Sequence, residues 1–224
     1  MKFKFLFFIS ITFLFSSCHQ ATEETKSSRT EFLPFYNGPD FTAHWYKPNS
    51  DSLINFHKIP DFKLVNQLGD TVSQKDVKNK IYVADFFFTT CPGICPKMTK
   101  NLHLVQEAFM DDDEIKILSH SVTPNLDSVP VLREYALNQG VDSTKWFLLT
   151  GDRNSIYKLG RNAYFIEDDL GLEREEFGSE FIHTENFVLI DKKRQVRGYY
   201  DGTKVEEVNQ LMEDLAVLKA SYLE

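Results

Sequence analysis

Phe86-Phe87-Phe88-Thr89-Thr90-Cys91-Pro92-Gly93-Ile94-Cys95-Pro96-Lys97-Met98 decides the fold, because an apolar run ends there in two cysteines at i and i+4. Upstream, Ile81 to Phe88 is short, aromatic and β-branched, which predicts a strand buried on both faces. Downstream, Met98, Leu102, Val105 and Phe109 recur at helical spacing and predict a helix from Lys97 to Met110. The cysteines therefore fall on a strand-to-helix turn, with Cys95 at or near the helix N-terminus. Unpaired backbone N–H groups and the positive end of the helix dipole favour a thiolate there. Pro92 and Pro96 hold the turn, and each removes an N–H that would compete for the sulfurs.

The chain of 224 residues is long enough for one well-filled core and short for two. Its net charge is −8, and loss of Lys2 and Lys4 with a leader would leave 23 basic residues against 33 acidic ones. Such a surface argues against nucleic acid as a partner.

The third cysteine, Cys18, follows a basic start (Met1 to Lys4) and an apolar run from Phe5 to Phe15 that is short for a membrane span. Residues 1–17 are expected to be an export signal. Leu14-Phe15-Ser16-Ser17-Cys18 resembles a bacterial lipobox, with Phe15 where a smaller aliphatic residue is usual. The resemblance implies lipidation of Cys18, a membrane anchor, and an exported protein facing the periplasm or the cell exterior. An ordinary signal peptide with Cys18 incidental is the alternative. With Cys18 lipidated, Cys91 and Cys95 are the only thiols left, in a compartment that permits disulfides.

Residues 18–30 are polar and predict a tether, and residues 31–58 interleave aromatics with Pro34, Pro39 and Pro48 as an extended covering segment. A domain over 59–222 follows. Ile59 to Val72 alternates about a Gly69-Asp70 turn and predicts a hairpin. Further strands are expected at Ile115 to Val122, Trp146 to Thr150, Phe181 to Ile190 and Gln195 to Tyr200. Helices are expected after Ser128, stopping at Gly140, from Asp152 or Asn154 to Tyr164, and from Val205 to Leu218. The acidic stretch Glu167 to Glu180 reads as a solvated loop. This order predicts an α/β fold: a central mixed sheet flanked by helices on both faces, with an additional N-terminal hairpin. A cysteine pair at the carboxyl end of a central strand is where thioredoxin-like folds carry their chemistry.

The chain resembles the Sco/SenC family of copper-binding, membrane-anchored thioredoxin-like proteins that serve cytochrome c oxidase assembly. The resemblance runs from about Asp61 to Leu218. It rests on Asp61-Phe62 with Leu64, Gly69 and Val72, and on the phenylalanine-rich strand with its Cys-Pro-x-x-Cys-Pro turn. Ser121-Val122-Thr123-Pro124 through Asp127 is similar to the family's Val-Asp-Pro loop, and His183-Thr184 with Phe187 to Asp191 to the strand bearing its histidine ligand. Gly93, Thr123 and Ile182 stand where the family carries acids.

The family likeness implies that Cys91, Cys95 and His183 bind one copper, as Cu(I) or Cu(II). It further implies delivery to the copper-bearing subunit of a terminal oxidase, by a chaperone rather than an enzyme. From the residues alone, the i, i+4 spacing leaves room for a soft metal, copper(I) or zinc, between two thiolates. A buried structural cysteine pair is the plain alternative, and His183 taken alone reads as a structural histidine. Two other functional readings are weighed beside these. An extracytoplasmic thiol:disulfide oxidoreductase would use Cys91 and Cys95 without His183. A peroxide-reducing thiol enzyme is suggested by Thr-Thr-Cys-Pro but lacks an assignable arginine. Met98 is assigned to the core, and His19, His44, His57, His103 and His120 to surface or packing roles.

Overall fold

The computed structural model describes residues 32–166 and 184–223. The expectations for residues 1–30, Cys18 and His19, for the acidic stretch Glu167 to Glu180, and for His183 lie outside them. Among the described residues the elements are β1 (Lys63–Val65), β2 (Thr71–Ser73), β3 (Ile81–Phe87), α1 (Cys95–Ala108), β4 (Ile115–Ser121) and α2 (Val129–Gln139), followed by β5 (Trp146–Leu149), α3 (Arg153–Asn162), β6 (Asn186–Ile190), β7 (Val196–Asp201) and α4 (Val205–Ala220).

The five-stranded sheet has the order β5-β4-β3-β6-β7. Strands β3, β4 and β5 are parallel, while β6 and β7 run antiparallel to their neighbours. Every residue of β3 is buried, since strands flank both its edges and other elements cover both its faces; such a strand reads as a continuous apolar run rather than an alternation. On one face Ile81, Val83 and Phe87 pack with Met98, Leu102 and Val105 of α1, Leu132 of α2, and Leu211 and Leu215 of α4. On the other, Tyr82, Ala84 and Phe86 meet Ile156 and Leu159 of α3 and Phe62, Leu64 and Val72 of the β1–β2 hairpin. That hairpin is a separate two-stranded sheet, joined to the domain by reciprocal backbone bonds between Val65 and Thr150 of 2.8 and 2.9 Å.

Helix boundaries follow local chemistry. Helix α1 starts at Cys95, two positions before the predicted Lys97, because Pro96 is accommodated in the first turn. Ser128 occupies the N-cap of α2, yet its hydroxyl makes no capping bond. Gly140 ends that helix in the left-handed region at φ 71°. Asp152 caps α3 by accepting the Ser155 N–H at 2.8 Å. Strand β6 starts at Asn186, later than the predicted Phe181; residues 181–183 lie outside the description.

The segment before β1 is held by Arg197. Its guanidinium donates to the carbonyls of Leu33 and Pro34 at 2.6 and 2.8 Å, pairs with Asp191 at 3.0 Å, and lies 3.7 Å over the Phe35 ring. Phe35 is buried beneath it, whereas Trp45 is exposed. No helix among the described residues is long and apolar enough to cross a membrane.

Candidate metal and thiol site

The parallel register pairs Phe87 with Ser121, and Val122 N–H then donates to Phe87 O at 2.9 Å. The turn after β3 is thereby set beside the loop after β4. Cys91 N–H closes the turn on Phe88 O at 3.3 Å. Ile94 is the N-cap of α1, already helical at φ −79° and ψ −30°, and no side chain caps this end. The Cys91 sulfur takes that place. Backbone N–H groups of Cys95, Gly93 and Ile94 and the Cys95 thiol lie against it and stabilise its negative form.

The two sulfurs differ in character. Burial acts to raise the Cys91 pKa, but the hydrogen bond from the Cys95 thiol and those from the backbone outweigh it, and the thiol lies below its ordinary value. Burial pushes Cys95 up to about 12, reinforced by its donation to Cys91 and by the charges of Cys91 and Asp85. Both are free thiols, Cys91 half-buried and Cys95 buried. The site is thus a partly open thiol of lowered pKa backed by an enclosed thiol of raised pKa.

Beneath them lies a polar seam that reading the sequence missed. Asp85, on the α1 side of β3, accepts from Ser119, whose oxygen accepts Trp146 Nε1–H at 2.7 Å. Burial raises the Asp85 carboxyl to about 7, and the Ser119 hydrogen bond opposes only part of that. Tyr135 of α2 shares a 2.9 Å hydrogen bond with Thr99 of α1. Burial raises its hydroxyl to about 12, the Thr99 bond lowering it and the charges of Asp85, Cys95 and Cys91 raising it further. The sequence carries one signal for Asp85: it is the only charged residue in the run Ile81 to Phe88.

A second acid shapes the turn. Asp127, 1% exposed, accepts the hydroxyls of Thr89 and Ser121 at 2.6 Å each and that of Thr123 at 2.9 Å. Thr123 stands where the resembled family has an acid, and here its hydroxyl serves Asp127.

The remaining candidates separate cleanly. Met98 is in the core. His120 is fully buried against Phe86, with ring centroids 4.8 Å apart, and its Nε2 has no hydrogen-bond partner among the described residues. Burial lowers it to about 4, so it is neutral. His57 bonds Ala163 O at 2.8 Å, His44 bonds Asn37 at 3.0 Å, and His103 packs edge-on to Trp146. Among the described residues no group of three or more His, Cys, Asp or Glu is placed to hold a metal ion. The structure brings Cys91 and Cys95 together; His183 and Cys18 lie outside the residues it describes.

A family model described as SCO1/SenC matches residues 51–219. A crystal structure of a SCO1/SenC family lipoprotein from Bacillus anthracis is 28% identical, with a TM-score of 0.62 over 73% of this chain and 95% of that one. BsSco, a member of the Sco family of cytochrome c oxidase assembly proteins in which a disulfide switch was identified, is 26% identical, with a TM-score of 0.62 over 75% of this chain and 95% of that one. Bradyrhizobium japonicum ScoI with copper bound shares the fold at 22% identity, with a TM-score of 0.56 over 71% of this chain and 98% of that one.

Proposed function

The chain belongs to the SCO1/SenC family, and from that premise we propose that it is a membrane-anchored copper chaperone. One copper is its cargo, held by Cys91, Cys95 and His183 and passed to the copper centre of a terminal oxidase. The observation that carries this reading is the juxtaposition of two free thiols at the N-terminus of α1, one of them partly open. Two thiolates form a soft donor set suited to Cu(I), and an imidazole adds a donor that also suits Cu(II). Copper-bound ScoI shares the fold, and BsSco belongs to an oxidase-assembly family. Transfer would proceed by exchange of thiolate ligands, for which a half-buried Cys91 offers the point of entry. Lipidation of Cys18 would supply the anchor, in keeping with the Bacillus anthracis lipoprotein.

The test is a copper titration of the full reduced chain beside Cys91→Ser and His183→Ala. The expected result is one copper per chain, lost or weakened in both variants. Binding by Cys91→Ser equal to that of the wild type, or indifference of both copper oxidation states to His183→Ala, refutes the site.

The unlike sulfurs favour a second reading, a thiol:disulfide oxidoreductase. Cys91 would attack a target disulfide and release one target thiolate. Cys95, giving up its proton, would then displace the second target thiolate, leaving a Cys91–Cys95 disulfide and two electrons on the target. Reduction of a disulfide peptide that is untouched by His183→Ala would favour it.

A further inference from the structure

At the far end of the sheet from the cysteines lies a cleft of 590 Å³ lined by Lys58, Lys75, Lys78, Lys192, Lys193 and Arg194. β3 separates the two sites: Lys78 and Asn79 precede its first residue, and Cys91 follows its last. Its seven residues set the cleft at least about 20 Å from the thiols. The chain carries a net charge of −8, yet six cations share this cleft with one carboxylate, Asp61.

Their compensation is incomplete. Arg194 pairs with Asp61 at 2.7 Å and Lys192 with Glu114 at 2.6 Å. Among the described residues Lys193 meets only the neutral amide oxygen of Asn49, at 2.5 Å. Asp76 is occupied by the backbone and hydroxyl of Ser73 at 2.7 and 2.8 Å. Lys58, Lys75 and Lys78 have no acidic partner among the described residues. Like charges crowded in a concave wall create a positive potential that attracts anions.

The backbone is shaped to hold this arrangement. Asn79 and Arg194 both line the cleft, at φ 59° and 69°. The left-handed region is disfavoured for a residue with a Cβ, and arginine in particular gains nothing there from its side chain's local bonding. The buried Phe62 is part of the lining, and Gln74 presents a buried amide oxygen without a hydrogen-bond partner among the described residues.

We propose that this cleft is an anion site for phosphate groups, either on a soluble phosphorylated molecule or on the headgroups of anionic lipids. Lysine ammonium groups bind phosphate oxygens as point charges, and Arg194 can turn its planar fork to one of them. The cleft lies at the sheet end where Arg197 receives the incoming chain at Leu33 and Pro34, so headgroup binding would fit a chain tethered before residue 31. The site is independent of the thiols and of copper.

The full reduced chain is tested at low ionic strength with two probes, inorganic pyrophosphate and phosphatidylcholine vesicles with or without phosphatidylglycerol. Wild type is compared with Lys75→Glu/Lys78→Glu and with Lys100→Glu/Lys158→Glu, which makes the same charge change elsewhere. The readout for vesicles is the increment caused by the acidic lipid, and unchanged thermal unfolding verifies that each variant is folded. The expected result is saturable binding of a probe that weakens at least about tenfold in the Lys75/Lys78 variant and persists in the other. Binding of pyrophosphate alone identifies a soluble phosphate as the source, and an increment on acidic vesicles identifies headgroups. Binding of neither probe, or equal loss in both double variants, overturns the proposal.

Discussion

The hydroxyl of Thr89 donates to Asp127 at 2.6 Å, and this bond ties the turn bearing Cys91 to the loop that follows β4. Thr89→Val keeps the shape and removes the donor. The variant should lose about 1 kcal/mol, as for one side-chain hydrogen bond, and alkylation of Cys91 should change in rate as its turn loosens. Urea unfolding and mass-spectrometric alkylation measure the two effects. An unchanged midpoint with an unchanged rate would show that Ser121 and Thr123 suffice to hold Asp127.

Asp85 makes stability depend on pH in an unusual direction. Its carboxyl stands near 7 in the folded chain against an ordinary 3.8, so the folded state keeps a proton that the unfolded state releases. Stability from this group is full below the unfolded value, falls as pH rises between about 4 and 7, and is flat above. Asp85→Asn should therefore raise the melting temperature at pH 8 by several degrees and have little effect at pH 4. A variant less stable than wild type at pH 8, where the buried carboxyl is ionised, would contradict its raised pKa.

Cys91 should react with iodoacetamide well before Cys95, by about tenfold or more at neutral pH, since one is partly open with a lowered pKa and the other is enclosed with a raised one. A Cβ at Gly93 would stand 3.9 Å from the Cys91 sulfur, an ordinary contact. Gly93→Asp is thus expected to fold and to slow Cys91, because a neighbouring negative charge disfavours the thiolate. Peptide mapping after timed alkylation checks both, and equal labelling of the two cysteines would refute the assignment.

Arg197→Leu removes a buried cation whose partner Asp191 is only 1% exposed. A loss of about 3–5 kcal/mol is expected from the stranded carboxylate. The segment around Leu33 and Phe35 should become protease-sensitive at the same time. Arg197→Leu with wild-type stability would show that the backbone donors of Lys193 and Gln195 satisfy Asp191 alone.

Gly202→Ala would bring a Cβ within 2.5 Å of the Phe187 ring. Gly202 also lends its carbonyl to Asn101 of α1 at 2.7 Å. A loss of about 1–3 kcal/mol from overpacking is expected, measured by thermal unfolding. Wild-type stability would mean that Phe187 moves freely.

The run Ile81 to Phe88 was legible because burial on both faces writes itself into composition. The cysteine turn was legible because a change of period marks it. Asp85 escaped notice since its meaning depends on Ser119 and Trp146, which meet it only through strand register. The cations of the cleft come from separate stretches of sequence, Lys58, Lys75 to Lys78 and Lys192 to Arg194; the antiparallel pairing of β3 with β6 brings the last two together. Arg197 contacts Leu33 across 164 positions, a separation at which no local pattern speaks.

Helix α1 has no side-chain cap other than a reactive sulfur. Its first turn is therefore an indicator of what that sulfur is doing. When Cys91 is bare, the N–H groups of Gly93, Ile94 and Cys95 favour the negative form of its sulfur; when another atom claims that sulfur, those three amides lose their acceptor together. Occupancy of the site is thus written into the backbone, where amide hydrogen exchange can read it and where a docking partner can sense, by shape alone, whether the protein is loaded.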